Sequence, residues 1–229
     1  MELHLQIKMN GRLFLKDPQL TVLGQQILQS GVLLIHEIGF EQFTFKKLAE
    51  TAGTTEAGVY RYFENKHRLL LYLVSWYWNW LDYQISYCIN NISQPELKIR
   101  RIIRLLALPV KDDQSTSYIN ESVLHEIVVE QGTKAYLTKQ VTEDNQHQFF
   151  KPYKDLCSRI GGILLEYNTE LKFPRSLSSS LIEIAHLQKY FKYNLPSLTD
   201  FGTTDNDTGI VDFLEEVVFS SLIKKPAKP

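Results

Sequence analysis

No part of this sequence is as informative about the fold as the stretch from Thr44 to Leu70. Apolar residues recur in it at the spacing of one helical face, at Phe45, Leu48, Ala49 and Ala52. Thr44 stands where a helix N-cap is expected, Gly53 can end that helix in the left-handed conformation, and Thr55 can cap the next helix. Because only a few residues separate the two helices, they must cross steeply. The stretch therefore predicts a helix-turn-helix, whose second helix can enter the major groove of DNA.

The predicted second helix, at about 56–63, divides its residues between an inner and an outer side. Val59 and Phe63, four residues apart, can pack on the first helix. The outer side is left with Glu56, Ala57, Gly58, Tyr60 and Arg61. Glycine disfavours a helix by about 1 kcal/mol relative to alanine. Gly58 is therefore either simply tolerated, or it lets the backbone approach base edges and phosphates.

A third helix follows, with Asn65 as its cap and three basic or titratable residues in its first turn, Lys66, His67 and Arg68. Cations at a helix start oppose the helix dipole, and this small cost is understandable if a phosphate binds there. The whole chain has 25 Lys and Arg against 26 Asp and Glu, so no global charge attracts it to nucleic acid. Affinity for DNA must come from locally placed cations, chiefly Lys46, Lys47, Arg61, Lys66 and Arg68.

From about Ile27 to Leu73 the chain resembles the DNA-binding segment of the TetR family of bacterial transcriptional regulators. The positions that carry the resemblance are Gly39-Phe40, Thr44, Leu48-Ala49, Ala52-Gly53, Thr55, Val59-Tyr60, Tyr62-Phe63, Lys66 and Leu69-Leu70. Thr54 departs from the pattern, since an apolar residue is usual there, and Gly58 stands where alanine or a similar small residue is common. The resemblance implies an all-α fold, with a three-helix helix-turn-helix DNA-binding domain followed by a helical ligand-binding and dimerisation domain. It also implies a ligand-responsive homodimer, typically a repressor, acting on a palindromic operator.

The predicted DNA contacts follow from this motif. The candidate residues are Thr44, Lys46, Thr55, Glu56, Ala57, Gly58, Tyr60, Arg61 and Lys66. Arg61 is the only long donor on the outer side of the second helix, so we expect it to contact a guanine or a phosphate. Tyr60 and Lys66 are expected to hold phosphates and to carry no sequence information.

Residues 1–17 predict a β-hairpin extension ahead of the DNA-binding domain. Residues 3–16 alternate with period two around Asn10-Gly11, which is a strong hairpin signal. We prefer a three-residue loop, with Leu5 opposite Leu15, over a two-residue loop, because it gathers the apolar residues on one face. The hairpin either packs as a staple on the helical body, which we favour, or brings a basic arm near DNA through Lys8, Arg12 and Lys16.

Two helical domains are predicted after the hairpin. Asp17-Pro18 reads as a cap followed by proline at the first helical position, which predicts a helix from Pro18 to about Ile38. With the helix-turn-helix it forms the predicted DNA-binding domain, residues 18–66. Residues 67–229 form the predicted helical ligand-binding and dimerisation domain.

Two long amphipathic helices are predicted near the C-terminus, at about 146–168 and 177–195. They resemble the pair that forms a four-helix dimer interface in the TetR family, so we expect the homodimer to form through about 146–195. Gly161-Gly162 in the first of them is costly in an isolated helix and reasonable where another helix crosses closely.

The helix opened by Asn65 is predicted to run to about Asn90, and it holds all three tryptophans of the chain. An aromatic stripe at helical spacing is more often core than a binding site. In the TetR family, however, this helix joins the two domains, and rings with a hydroxyl or an indole N–H suit a pocket for an apolar molecule with few polar groups. The candidate ligand-binding residues are Tyr72, Trp76, Tyr77, Trp80 and Tyr83.

The sequence gives no sign of catalysis. It contains none of the common catalytic or nucleotide-binding motifs, and Cys88 and Cys157 lack metal-site spacing, so we expect no enzyme activity, no cofactor and no metal. With no signal peptide and no long apolar run, a cytoplasmic protein is expected. The alternative function is a dimeric small-molecule-binding or interaction protein whose helix-turn-helix no longer binds DNA.

Overall fold

The computed structural model describes residues 6–112, 118–202 and 207–223, and all regular secondary structure in these ranges is helical, without strands. The α-helices are α1 Val22–Gln42, α2 Phe45–Thr51, α3 Glu56–Tyr60, α4 Lys66–Cys88, α5 Pro95–Ala107, α6 Glu121–Gln131, α7 Thr133–Tyr136, α8 Val141–Gln146, α9 Lys151–Tyr167, α10 Pro174–Asn194 and α11 Thr208–Leu222. This confirms the predicted all-α fold. None of the helices in these ranges combines the length and the apolar character that crossing a membrane requires.

The helices gather into two compact units. The first is built from Met1–Leu81 and Val110–Tyr153, and the second from Asp82–Pro109 and Lys154–Pro229. The division predicted from the sequence, at residues 17 and 66, concerns functional domains and remains a prediction.

In the first unit, α1 packs on both α2 and α6, and α2 packs on α3. The apolar faces predicted for the helix-turn-helix supply its core, because Leu48, Val59 and Phe63 are fully buried. Gly31, in the middle of α1, faces Leu69 and Leu48, which a Cβ added at this position would meet at ordinary contact distance. The short helices are therefore stabilised by burial against α1 rather than by their own length.

The predicted N-terminal hairpin is wrong over the residues that the structure describes. Gly11–Leu13 forms a 3-10 turn, because the Asn10 side chain accepts a hydrogen bond from the backbone N–H of Arg12 at 3.0 Å. Leu13 is buried whereas Leu15 is 59% exposed, so they do not share a face. Leu5, the predicted partner of Leu15, lies outside the described residues. The segment nevertheless packs on the helical body, as the favoured staple interpretation expected.

The first long helix begins later than predicted. Pro18–Leu20 is a separate 3-10 turn, capped by Asp17, whose carboxylate accepts from the backbone N–H of Gln19 at 2.9 Å. Thr21 then adopts an extended backbone and caps α1 through a hydrogen bond from the N–H of Gly24, at 3.1 Å. Two successive caps thus replace the single start predicted at Pro18.

The later helices also differ in their bounds from the predicted ones. A separate short helix, α8, precedes α9. The helix predicted to begin at about 146 begins at Lys151. Gln148, between α8 and α9, has a positive φ of 64°, which breaks the predicted continuous helix.

In the second unit, α10 packs on α5 and α11, and α5 packs on α11. Gly161 on α9 is buried, and a Cβ there would lie 3.3 Å from the Ser178 hydroxyl and 3.5 Å from the Pro174 backbone of α10. The close helix approach expected at Gly161-Gly162 therefore exists within the chain. Gly162, by contrast, is exposed, with nothing within 4 Å of a Cβ.

Candidate nucleic-acid interface

The helix-turn-helix has the caps and the turn that the sequence predicts. The Thr44 hydroxyl accepts a hydrogen bond from the N–H of Lys47 at 3.3 Å, and the Thr55 hydroxyl accepts from the N–H of Gly58 at 3.1 Å. Gly53 has a φ of 64° in the turn between α2 and α3. A threonine hydroxyl that accepts as a cap still has a hydrogen to donate, so both caps can also bind a phosphate oxygen.

The outer side of α3 and the residue after it present a mixed polar and aromatic surface. Glu56, Ala57 and Arg61 are exposed, and Tyr60 is 48% exposed. The Tyr60 ring packs edge-on against Phe45 of α2, with 5.0 Å between ring centroids. This contact fixes the direction of the tyrosine hydroxyl relative to the helix pair.

Gly58 does not belong to this outer surface. It is buried, and a Cβ at this position would lie 2.4 Å from the Thr54 hydroxyl. The glycine therefore makes room for the side chain of Thr54, the residue that departs from the family pattern. The prediction that Gly58 brings the backbone of α3 close to DNA has no support in this geometry.

Lys66 is placed differently from the prediction that it holds a phosphate. Its ammonium donates to three carbonyl oxygens, those of Phe40 at 3.1 Å and of Glu41 and Phe43 at 3.2 Å each. It also lies 4.8 Å from the centroid of the Phe40 ring. Since an ammonium has three hydrogens, these carbonyls occupy its donors, and we expect Lys66 to act in stability.

The other cations fall into two groups. Lys47 donates to the carbonyl of Gln42 at 3.0 Å, and Arg68 pairs with the buried Asp144 at 3.2 Å. Lys46 and Arg61 are exposed and make no ion pair with a described residue. Contact of Lys46 and Arg61 with DNA stays a prediction.

The aromatic helix α4 buries most of the candidate ligand-binding residues. Tyr72, Trp76, Tyr77 and Trp80 are buried, and they belong to the first unit. Tyr83 is 45% exposed and belongs to the second unit. The stripe is therefore core in position, as the sequence favoured.

Three polar atoms along this stripe make no hydrogen bond of normal distance and angle with a described residue, although Gln19 lies near the Tyr72 side chain and Tyr118 lies near that of Trp76. They are the Tyr72 hydroxyl and the indole nitrogens of Trp76 and Trp80. The three residues are four apart in sequence, so their side chains follow one another along a single face of α4. Buried polar groups without partners are rare in folded proteins, so this face of α4 is a candidate position for a bound molecule.

Tyr77 differs from these three residues, because its hydroxyl lies 2.8 Å from Nδ1 of His125. Burial raises the pKa of Tyr77 above its ordinary value. The buried His125 is therefore tied to α4 through Tyr77. Burial also raises the pKa of Tyr72, and Tyr118 and Asp17 raise it further, so both hydroxyls stay protonated.

Sequence reasoning missed the residues that surround the stripe. The Gln19 side chain donates to the carbonyl of Ile7 at 2.9 Å and accepts from the Tyr118 hydroxyl at 2.7 Å. The Tyr118 ring lies edge-on to Trp76, with 6.4 Å between centroids. No local pattern identifies a glutamine whose partner is ninety-nine positions away.

A surface hollow of about 550 Å³ is present in the second unit. Its lining includes Leu171, Phe173 and Ile223, and none of its lining residues belongs to the aromatic segment Tyr72–Tyr87. The predicted apolar pocket beside that segment remains a prediction. Among the described residues, no group of three or more histidine, cysteine or acidic side chains is arranged to hold a metal ion.

Comparison with known proteins places this geometry in a family context. Residues 27–73 match the family described as bacterial regulatory proteins, tetR family. The fold is similar to that of AibR in complex with isovaleryl coenzyme A and operator DNA, at 18% identity over 84% of this chain and 96% of that chain, with a TM-score of 0.59. It is also similar to FadR from Bacillus subtilis in complex with stearoyl-CoA, at 18% identity over 82% and 96%, with a TM-score of 0.56.

A third solved structure with a similar fold is the superantigen PfiT, at 13% identity over 90% of this chain and 97% of that chain, with a TM-score of 0.60. A search of curated proteins found no match. At these identities the likeness to solved structures concerns the fold, and the match over residues 27–73 concerns the helix-turn-helix.

Proposed function

We propose that this chain, a member of the tetR family of bacterial regulatory proteins through its helix-turn-helix segment, is a ligand-responsive repressor that binds DNA as a homodimer. The observation that carries the proposal is the exposed outer side of α3, where Tyr60 and Arg61 stand beside capping threonines with hydroxyls still able to donate. Regulation of transcription rather than catalysis agrees with this surface, and such a protein works in the bacterial cytoplasm.

A homodimer would read a palindromic operator with two copies of α3. The two helices must be about 34 Å apart to occupy successive major grooves on one side of the duplex. A ligand that prefers a dimer with another spacing lowers operator affinity by the ratio of its affinities for the two states. Repression is then released when the ligand binds.

We place the dimer interface on α9 and α10. Gly162 on α9 is open to close approach, and the exposed apolar residues of α10 include Leu187. Apolar surface of this kind is typical of an interface. An obligate homodimer interface should bury on the order of 2,000 Å² or more.

The DNA-binding role is tested by replacing Arg61 with alanine. Since arginine can bind guanine through two hydrogen bonds, we expect Arg61→Ala to weaken binding to the preferred operator by about 1–3 kcal/mol and to weaken binding to scrambled DNA much less. The operator is first selected from random duplexes with the wild-type chain. Fluorescence anisotropy at several salt concentrations then measures both affinities, on the full palindrome and on a single half-site.

Lys46→Ala is the matched control for Arg61→Ala, because it removes an exposed cation of α2. It should weaken operator and scrambled DNA alike and reduce the salt slope by about one unit. If Arg61→Ala and Lys46→Ala have the same profile, Arg61 does not read a base. If the wild-type chain selects no duplex, the alternative of a helix-turn-helix that no longer binds DNA is correct, as the range of functions on one fold allows.

The ligand site is proposed along Tyr72, Trp76 and Trp80 on α4. Indole nitrogens can only donate, so the ligand must offer acceptor oxygens at about 6 Å intervals, one helical turn apart, on an otherwise apolar body. An acyl thioester has a carbonyl acceptor and an apolar chain. Acyl-CoA compounds are therefore the first class to test, which agrees with the ligands of the AibR and FadR structures.

Calorimetric titration with isovaleryl-CoA and stearoyl-CoA tests this site. We expect Trp76→Phe to weaken binding about tenfold, because it removes the indole donor and keeps an aromatic ring. Trp78→Phe is the matched control: Trp78 lies on the same helix, but its ring stacks on Tyr153 at 4.4 Å, and its indole nitrogen is not among the unpartnered atoms. Equal losses in the two variants, or no binding of either compound to the wild type, would contradict the site.

A further inference from the structure

We infer that residues 6–20 form a strap that couples the aromatic stripe of α4 to the end of the recognition helix α3. This inference rests on the proposed function and adds a route by which the ligand site and the DNA-binding helix sense each other. The strap lies ahead of the segment that matches the tetR family, which begins at residue 27. All of its partners described below belong to the first unit.

The strap is held firmly although it has little regular structure. Ile7, Leu13 and Gln19 are buried. Asn10 donates from its side-chain amide to the carbonyl of His147 at 2.8 Å, and the Gln19 amide donates to the carbonyl of Ile7 at 2.9 Å. A segment with side chains buried at both ends and polar groups bonded to distant residues is ordered by tertiary contacts.

One end of the strap is bonded to Tyr62, two residues beyond α3. The backbone N–H of Leu15 donates to the carbonyl of Tyr62 at 2.8 Å. Thr21, the residue after the strap, shares a hydrogen bond with the Tyr62 hydroxyl at 2.8 Å, and the Lys16 ammonium lies 5.5 Å from the centroid of the Tyr62 ring. The position of the end of α3 is therefore linked to the position of the strap.

The same segment covers the aromatic stripe. Phe14 lies edge-on to Tyr72, with 6.1 Å between ring centroids. Gln19 accepts a hydrogen bond from Tyr118, whose ring packs edge-on against Trp76. Gln19 thus acts as a positioning residue, since it fixes the strap and, through Tyr118, the side chain of Trp76.

Two of the stripe's unpartnered polar atoms, on Tyr72 and Trp76, lie under these strap contacts. A ligand that bonds to them must move Phe14 or Tyr118, and the strap carries that displacement to Tyr62. By linkage, operator binding changes the affinity for such a ligand by the same factor as the ligand changes operator affinity. Operator binding that shifts Tyr62 should therefore also change the surroundings of Trp76. The coupling can therefore be tested with DNA alone, without an identified ligand.

The test uses tryptophan emission of the full chain, since its three tryptophans all lie on α4. We expect saturation with the selected operator to change this emission in the wild type. Leu15→Pro removes the N–H that bonds to Tyr62, and Phe14 already has the extended backbone that the residue before a proline prefers. Leu15→Ala is the matched control, because it keeps that N–H and shortens an exposed side chain.

If the strap couples the two sites, Leu15→Pro should lose the emission change on operator binding. Its operator affinity should stay within about tenfold of the wild-type value, because the loss of one hydrogen bond has an effect of about that size. Leu15→Ala should keep the change. Tyr118→Phe, which removes the donor to Gln19 and keeps the ring on Trp76, should also lose it, whereas Tyr87→Phe, at an exposed residue of α4, should not. If Leu15→Pro does not fold, Tyr118→Phe decides the question.

The outcomes separate the strap from the proposed function. If the wild type binds operator without an emission change, or if all variants show the same change, the coupling through the strap is contradicted and the proposal of DNA binding stands. If the wild type binds no duplex, the proposed function fails and the strap fails with it.

Discussion

Replacing Lys66 with methionine is expected to lower the free energy of unfolding by about 3 kcal/mol, since hydrogen bonds from a charged donor are among the stronger ones in proteins. The ammonium donates to the carbonyls of Phe40 and Glu41, in the last turn of α1, and of Phe43, the residue after α1. Methionine keeps most of the apolar stem and leaves these carbonyls without their donor. Urea unfolding followed by circular dichroism, at one fixed protein concentration, measures the change.

Lys46→Met is the control for charge and chain length, because Lys46 is exposed on α2 and makes no ion pair with a described residue. It should change stability by less than about 0.5 kcal/mol. The prediction that Lys66 stabilises the fold is wrong if the two variants unfold at the same urea concentration. A phosphate-binding role would then regain support, provided that Lys66→Met weakens operator and scrambled DNA equally.

Replacing Gly24 with alanine is expected to destabilise the protein by about 3 kcal/mol, the upper part of the usual range for overpacking. A Cβ at this position would lie 2.3 Å from the carbonyl oxygen of Pro18 and 2.5 Å from its Cα. Backbone atoms cannot rotate away as a side chain does, so either α1 or the Pro18–Leu20 turn must shift. Thermal and urea unfolding should both register the loss.

Gly31→Ala provides the opposite result on the same helix. There a Cβ would meet the Leu69 side chain at 3.5 Å and that of Leu48 at 3.9 Å, which are ordinary contacts. We expect a gain of about 0.4–1 kcal/mol, because alanine lowers the conformational entropy of the unfolded chain. If both variants are destabilised alike, the close approach of Pro18 to α1 is not the cause.

The caps of the helix-turn-helix could be predicted from the sequence because their partners are local. Thr44, Thr55 and Asn65 each accept from a backbone N–H three residues ahead. Gly53 is also recognisable locally, because its positive φ is needed in the turn where it stands. Spacing alone contains this information, so the motif and its inner and outer sides were predicted with few errors.

The errors arise where a residue's partner lies far away in the chain. The Asn10-Gly11 pair is a strong local hairpin signal, yet Asn10 bonds to His147 and Leu15 to Tyr62. Lys66 could be recognised as a cation near the motif, but its acceptors are more than twenty residues earlier. Neither Gln19 nor Tyr118 stands in a pattern that would mark it as part of the candidate site.

The discontinuous first unit has a consequence for the order of events during synthesis. The strap emerges from the ribosome early, but Tyr118 and His147 follow only after residues 82–109, which belong to the second unit, have been made. The hydrogen bonds of the strap span as many as 137 positions, so the entropy of loop closure delays them. The strap is therefore translated before its partners but docks late, and its docking marks the completion of the whole first unit.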